Sequence, residues 1–307
     1  MTRKILFILI LVFVPLESFA EKIKVGVLSS LTGGYAVYGE PLAKGVEIAS
    51  DENFEIIIED IGTLNGRGAV STAKKLIEID KIDVGIVFAI DDAEVLAPIF
   101  NSKKIPMLIA WDSNYLVEEM GEYAFSAGLD TFIGGETLAN YLANKIGAKK
   151  IAIIGQESAY NNINREGFLS RAKELNLSIV LNEFFQMGEN DFRPTLLKLK
   201  NSKADALLFL PILPDALYLG LKQMKELKIN IPLITNELLV TDKETLKSNN
   251  VTNGCGLWIP DANSEEIVKK YEQITGSKVW NHGPLVIGYQ AMEHLKSASK
   301  LNPQNIY

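Results

Sequence analysis

The sequence predicts an α/β protein of two lobes, each a doubly wound parallel sheet, with an interlobe cleft. Its 307 residues exceed what one hydrophobic core usually serves. Short, almost continuously apolar segments alternate with amphipathic helical segments, as in parallel sheets that helices cover on both faces. The alternation starts again near Gly134, so two similarly wired sets of strands and helices are expected.

The first twenty residues are predicted to be a signal peptide. Arg3 and Lys4 precede an apolar run, Ile5–Val14, which is too short to span a bilayer comfortably. Ser18-Phe19-Ala20 then supplies the small residues that a signal peptidase recognises. An uncleaved membrane anchor is the alternative. We predict cleavage near Ala20 and an exported, periplasmic product.

The remaining chain divides into two sets of elements. The first set has strands at Ile23–Ser30, Phe54–Asp60, Asp83–Ala89 and Ile105–Ala110, with helices at Pro41–Ser50, Gly68–Asp80 and Glu94–Ser102. The second has strands at Lys149–Gln156, Ser178–Phe185, Ala204–Ile212 and Ile231–Glu237, with helices at Gly134–Ile146, Ile163–Leu175, Asp191–Ser202 and Pro214–Leu227. Pro41 suits a first helical turn, where its missing N–H costs nothing.

Composition and motifs argue against several functions. The net charge of −7 disfavours a nucleic-acid partner, because phosphate binding needs a basic surface. Cys255 is the only cysteine, so an intramolecular disulfide is impossible. The two histidines, His282 and His294, come late in the chain, and no catalytic motif accompanies them. We therefore expect no catalysis, no metal and no cofactor.

Ligands of open parallel sheets bind beyond the carboxyl ends of the strands, which directs attention to the loop Leu31–Glu40. Its glycines, Gly33, Gly34 and Gly39, fit neither a dinucleotide fingerprint nor a P-loop. A plain turn with permissive glycines is one interpretation. However, Tyr38 offers a ring face and a hydroxyl at a strand end, which favours a ligand-binding loop.

Acidic residues follow the next two strands. Asp91 and Asp92 either complement a helix dipole or bind a cationic group. Trp111, Asp112 and Ser113 provide an aromatic wall, a carboxylate and a hydroxyl, or else form a capping turn. All five residues are candidates for ligand binding.

The second lobe supplies two further candidates at strand ends. Tyr160 lies in the loop after the strand Lys149–Gln156. Glu237 comes directly after an apolar strand, where an acid is costly unless it has a partner or water. A ligand ammonium is such a partner, and a surface position is the alternative.

These segments together resemble the periplasmic solute-binding proteins of branched-chain amino acid ABC transporters. The stretch "IKVGVLSSLTGGYAVYGEPLAKGVEIA" is similar to the opening of that family, which has a strand, an "LTG-x-x-A-x-YG" loop and a helix. "AVSTAKKLIEIDKIDVGIV", "KKIAIIGQESAY" and "IPLITNE" follow in the family's order. The resemblance covers Ile23 to Met292. It implies the type I periplasmic-binding fold, whose two lobes close on a ligand.

The resemblance also implies lobe boundaries and residue roles. Lobe 1 is expected over 21–129 plus 260–307 and lobe 2 over 130–259, with crossings near 129–130 and 258–260. The family continues further, with a third crossing, so a C-terminally shortened lobe 1 is expected at Tyr307. Tyr38 and Tyr160 correspond to residues that flank the ligand, Ser113 to a hydroxyl that holds a carboxylate, and Glu237 to the acid that takes an ammonium.

Two departures from the family pattern bear on the ligand. Asp91 and Asp92 replace a Ser-rich turn, and Trp111 and Asp112 replace a run of small residues. These acids would repel a ligand carboxylate unless at least one points toward a helix start. We therefore predict an importer's solute-binding protein that takes an amino acid, an amide or a cationic relative and delivers it to a membrane permease. The alternatives are a ligand-sensing module for a receptor or two-component kinase and, less favoured, an enzyme on the same scaffold.

Overall fold

Two five-stranded parallel sheets organise the chain. The structure is a computed structural model and describes residues 21–62, 67–236, 254–256, 264–279 and 281–301. The first sheet has the strand order β2-β1-β3-β4-β6. Its strands are β1 (Ile23–Ser29), β2 (Phe54–Asp60), β3 (Val84–Val87), β4 (Met107–Ile109) and β6 (Ala124–Ser126).

The second sheet repeats the wiring of the first. Its strands are β8 (Lys150–Gln156), β9 (Ser178–Phe185), β10 (Ala206–Leu210), β11 (Leu233–Thr235) and β12 (Gly254–Gly256). Their order is β12-β11-β10-β8-β9. From the β9 edge, the second strand of the set comes first, followed by the first, third, fourth and fifth, as in the first sheet. The predicted fold class, two parallel-sheet lobes with similar wiring, is confirmed.

Helices separate the strands. The first lobe has α1 (Ala36–Ala49), α2 (Arg67–Lys75, continued by a π-helical turn at Leu76–Asp80), α3 (Ile90–Lys103) and α4 (Leu116–Glu119). The second has α5 (Thr131–Tyr141, continued by a π-helical turn at Leu142–Ile146), α6 (Ala159–Glu174), α7 (Arg193–Ser202) and α8 (Pro214–Glu226). Two more helices, α9 (Ser264–Thr275) and α10 (His282–Leu301), follow the second sheet and pack against α1.

A small two-stranded sheet lies where the chain passes from the first sheet to the second. Its strands are β5 (Asp112–Ser113) and β7 (Leu129–Asp130), which pair in parallel. This pairing joins the end of β4 to the start of α5. The second predicted crossing, near 258–260, lies outside the described residues.

Four helices, α1, α3, α5 and α6, begin three to five residues earlier than the sequence pattern predicts. Helix α1 begins at Ala36, so Pro41 lies inside the helix and its predicted place in the first turn is wrong. The amphipathic pattern is lost at this end because Tyr38, Gly39 and Pro41 are all buried. Helix α3 likewise begins at Ile90, which puts the two predicted acids in its first turn.

Glycines allow one close helix pair in each lobe. A Cβ at Gly45 of α1 would lie 2.1 Å from the Leu285 carbonyl oxygen of α10. In the second lobe, a Cβ at Gly135 of α5 would lie 1.9 Å from the Asn164 carbonyl oxygen of α6. Real Cβ atoms do not approach so closely, so these helix pairs depend on glycine. The pair α1 and α10 fixes the C-terminal helix to the first lobe.

Neither a membrane span nor a metal-binding cluster is found in the described part of the chain. No helix there is both long and apolar enough to cross a bilayer. The same residues contain no group of three or more His, Cys, Asp or Glu side chains that could hold a metal ion.

Candidate ligand-binding cleft

The loop after β1 is held in place by Asp60 at the end of the neighbouring strand β2. The Asp60 carboxylate accepts hydrogen bonds from the Leu31 N–H at 2.8 Å, the Thr32 hydroxyl at 2.6 Å and the Gly62 N–H at 2.8 Å. Burial acts to raise the pKa of Asp60, but these hydrogen bonds outweigh it and hold that pKa below its ordinary value. The anchored loop leads directly into α1.

Glycines then complete the turn into α1. Gly33 has a φ of 75°, in the left-handed region that favours glycine. A Cβ at Gly39 would lie 1.9 Å from the Ser30 carbonyl oxygen, so the first turn of α1 lies directly on the end of β1. This contact brings Tyr35 and Tyr38 to the carboxyl edge of the first sheet.

A small cavity lies between the two lobes at the strand ends. It measures about 40 Å³, which is room for about three water molecules. The first lobe lines it with Tyr35, Tyr38, Phe88, Ala89, Asp91 and Trp111, and the second with Tyr160, Ile212 and Asn236. Of the predicted ligand-binding residues, Tyr38, Asp91, Trp111 and Tyr160 therefore meet at one cavity.

An aromatic cluster forms the first-lobe wall. The ring centroids of Tyr38, Phe88 and Trp111 are 6.4 Å, 6.0 Å and 5.9 Å apart, so each ring contacts the other two. Tyr35 extends the cluster, with its centroid 6.5 Å from that of Tyr38. These spacings are typical of aromatic pairs that stabilise one another. The wall is therefore aromatic and largely apolar.

Asp91 connects the two lobes. Its carboxylate accepts the N–H of Ala159 at 2.8 Å and that of Tyr160 at 3.4 Å, at the start of α6 in the second lobe. Burial raises the pKa of the Asp91 carboxyl, although these two hydrogen bonds act in the opposite direction. Asp91 thus supplies the anion that a helix N-terminus attracts, from the other side of the cleft.

Asp112 caps a helix within the first lobe. Its side chain is 1% exposed and accepts the Ile90 N–H, at the start of α3, at 3.0 Å. Asp92 is fully buried in the first turn of the same helix, and Ser113 is half-buried in β5. None of these three predicted residues lines the cavity, so their role as ligand-binding residues stays a prediction.

Direct hydrogen bonds bridge the lobes at two further points. The Tyr38 hydroxyl donates to the Ile212 carbonyl oxygen at 2.5 Å. At the rim, the Tyr115 hydroxyl donates to the Glu166 carboxylate at 2.7 Å. Together with Asp91, these contacts hold the lobes in a closed arrangement.

The surroundings of Tyr35 in the cleft raise the pKa of its hydroxyl. Burial is the main cause that raises the pKa of its hydroxyl, and Asp91 and Asp92 raise it further. None of the described residues that line the cavity is Lys, Arg or His. The described wall is therefore aromatic and acidic.

The second-lobe wall contains one residue that the sequence reasoning missed. Asn236 is buried, lines the cavity and donates from its side-chain amide to the Pro211 carbonyl oxygen at 2.6 Å. It lies directly after β11, at the carboxyl end of a strand and next to the predicted Glu237, and this position is the signal that could have identified it. Glu237 itself lies outside the described residues, so its role stays a prediction.

Two lobes of the same wiring around a small cavity that both lobes line define a two-lobed ligand-binding protein. The comparison with known families agrees, because the sequence profile described as "Periplasmic binding protein" matches residues 22–301. The chain belongs to the periplasmic binding protein family. This confirms the family resemblance, and it agrees with the expectation that the chain is a binding protein and not an enzyme.

Individual relatives are distant. An "Amino acid binding protein" of Pseudomonas aeruginosa is 24% identical over 240 residues, which are 71% of this chain and 61% of that protein. "Leu/Ile/Val-binding protein homolog 1" of Brucella suis is 24% identical over 301 residues, 92% of this chain and 79% of that protein. This chain thus spans about three fifths of the length of the first relative and about four fifths of that of the second.

A solved structure shows the same fold. The solute-binding protein of an ABC transporter from Rhodopseudomonas palustris, in complex with 4-hydroxybenzoate, has a TM-score of 0.79 to this chain at 20% sequence identity. The superposition covers 93% of this chain and 82% of that protein. At this identity the comparison supports the fold and leaves the ligand to be argued from the cleft.

Proposed function

We propose that this protein is the extracytoplasmic solute-binding component of an ABC importer. One observation carries the proposal: the cavity is lined from both lobes, at the carboxyl ends of both sheets. A ligand in that position contacts both lobes at once, so its binding energy favours the closed form. Relatives named for amino acids and a structural neighbour with a bound benzoate support a small polar organic solute.

Four of the predicted residues are the leading candidates for ligand contact. Tyr38, Asp91, Trp111 and Tyr160 line the cavity and supply ring faces, a hydroxyl and a carboxylate. We propose that residues 21–129 and 260–307 act as one lobe and residues 130–259 as the other. The closed pair then presents a composite surface to a membrane permease.

A thermal-shift screen tests the proposal. A true ligand raises the melting temperature (Tm) by mass action, because it binds the folded protein and not the unfolded chain. The panel should contain amino acids, amides and polyamines, with small-angle scattering on each hit to detect closure of the lobes. If no small molecule in a broad panel stabilises the protein, the transport proposal loses its main support.

Export is the second part of the proposal. The family is periplasmic by name, and residues 1–20 have the composition of a signal peptide. Expression in a Gram-negative host and mass determination of the periplasmic product test it. The expected mature chain begins at Glu21, and a periplasmic product that retains Met1 would contradict the predicted cleavage.

A further inference from the structure

We propose that the cleft selects a small organic cation without a carboxylate, held by the aromatic wall of Tyr38, Phe88 and Trp111 with Asp91 as its counter-charge. This inference rests on the proposed solute-binding function and names its ligand class. It follows from three features of the cleft: the spacing of the rings, the charges of the lining residues and the use of the helix N-termini.

The ring spacing suits a single cation. The centroids of Tyr38, Phe88 and Trp111 form a nearly equilateral triangle with sides of 5.9–6.4 Å. A charge about 3 Å above the plane of this triangle lies about 4.6 Å from every centroid, within the ~6 Å reach of a cation–π contact. Because the planes of Tyr38 and Phe88 are only 18° apart, one cation cannot lie over both of these faces at once, so the wall offers it a ring face with the other rings close by.

The charge that lines the cavity also favours a cation. Asp91 is the one charged side chain among the described residues that line it. Two hydrogen bonds, from Ala159 and Tyr160, leave further acceptor capacity on its two oxygens. In a cleft of low dielectric constant, this carboxylate favours a cation and opposes an anion.

The chain already occupies the positions where a ligand carboxylate would bind. A helix N-terminus can bind an anion without a basic side chain, because its free N–H groups and the helix dipole favour negative charge. Asp91 occupies the N-terminus of α6 across the cleft, and Asp112, which does not line the cavity, occupies that of α3. A zwitterionic amino acid would thus place its carboxylate close to Asp91 without a compensating donor from either helix start.

The size of the cavity limits the cation. At about 40 Å³ the cavity, which is partly open to solvent, favours a compact ligand over an extended one. Tetramethylammonium is a fitting probe. Its neutral control is tert-butanol, which has the same number of non-hydrogen atoms and a similar branched shape without the charge.

Calorimetric titration and thermal shift with tetramethylammonium chloride, tert-butanol and leucine, at equal ionic strength, test the inference. Tetramethylammonium should bind and raise the Tm, whereas tert-butanol should have at least about tenfold weaker affinity. If leucine binds and tetramethylammonium does not, the inference is overturned while the solute-binding proposal stands. If no compound of the broad panel binds either, both proposals fail.

Substitution of the counter-charge gives an independent test. Asp91→Asn should weaken tetramethylammonium binding about tenfold or more, because the carboxylate charge is lost while an acceptor oxygen remains. Glu94→Gln is the matched control, since it removes one negative charge from the same helix at an exposed position outside the cavity. Equal affinities in both variants would refute the role of Asp91. Should Asp91→Asn not fold, the comparison with tert-butanol in the unaltered protein decides alone.

Discussion

Asp112→Ala is expected to destabilise the first lobe strongly, because the carboxylate caps α3 from a buried position. The side chain is 1% exposed and accepts the Ile90 N–H at 3.0 Å. A hydrogen bond to a charged acceptor contributes about 1.5–3 kcal/mol, and a favourable charge at a partly buried helix end contributes up to ~2 kcal/mol. Because these contributions overlap, we expect a loss of about 2–4 kcal/mol, or about 5–15 °C in Tm.

The exposed cap Asp130 provides the control. It accepts the Ile133 N–H at 3.0 Å at the start of α5, so Asp130→Ala removes the same type of bond from an exposed position. That change should cost about 1 kcal/mol. Differential scanning calorimetry of both variants measures the difference. If Asp112→Ala costs no more than Asp130→Ala, the buried carboxylate of Asp112 does not stabilise α3 as a cap.

Three further substitutions test other parts of the cleft. Tyr38→Phe removes the interlobe hydrogen bond to Ile212. This should destabilise the closed form by about 1 kcal/mol, a roughly fivefold shift toward the open form. Unchanged interlobe distances between spin labels would contradict this. Gly39→Ala should lower the free energy of unfolding in urea by about 1–3 kcal/mol, because the new Cβ would lie 1.9 Å from the Ser30 carbonyl oxygen. Gly34→Ala is the control and should be nearly neutral, since its Cβ would meet only a flexible leucine side chain. Asp60→Asn should destabilise the loop after β1 by about 1–2 kcal/mol at neutral pH. Since the folded-state pKa of Asp60 is lowered, its contribution is present above the ordinary value of about 4 and is lost as the pH falls through the folded-state pKa. The difference between Asp60→Asn and the unaltered protein should therefore shrink in acid, and a difference that grows in acid would refute this assignment.

The wiring of both lobes could be predicted because it depends on local patterns. Strands such as β2 and β9 are short runs with turn residues at both ends, and the structure gives them the predicted bounds. Helix starts were harder to predict. The first turns of α1 and α3 are buried on more than one face, so they lack the amphipathic period on which the prediction relied.

Contacts between distant segments explain what sequence reasoning could not supply for the site. The sequence indicated that acids after β3 and β4 either cap helices or face a ligand, but it could not choose between them. Asp112 caps a helix 22 residues earlier in the chain, and the partners of Asp91 are 68 and 69 residues away in the other lobe. Such partners depend on tertiary structure and leave no local signal.

The cap from Asp91 to α6 also affects how closure depends on the ligand. In a cleft that relies on a ligand carboxylate, the helix N-terminus of the second lobe gains its anion only when the ligand binds. Here Asp91 supplies that anion, and the Tyr38 hydroxyl adds a second direct link between the lobes. Part of the free energy of closure thus comes from the protein itself. A ligand of few atoms therefore has to contribute less free energy to close the lobes. A small cation that gains from the aromatic wall and from Asp91 therefore needs only limited contact with the second-lobe wall, at Tyr160 or Asn236, to favour the closed form.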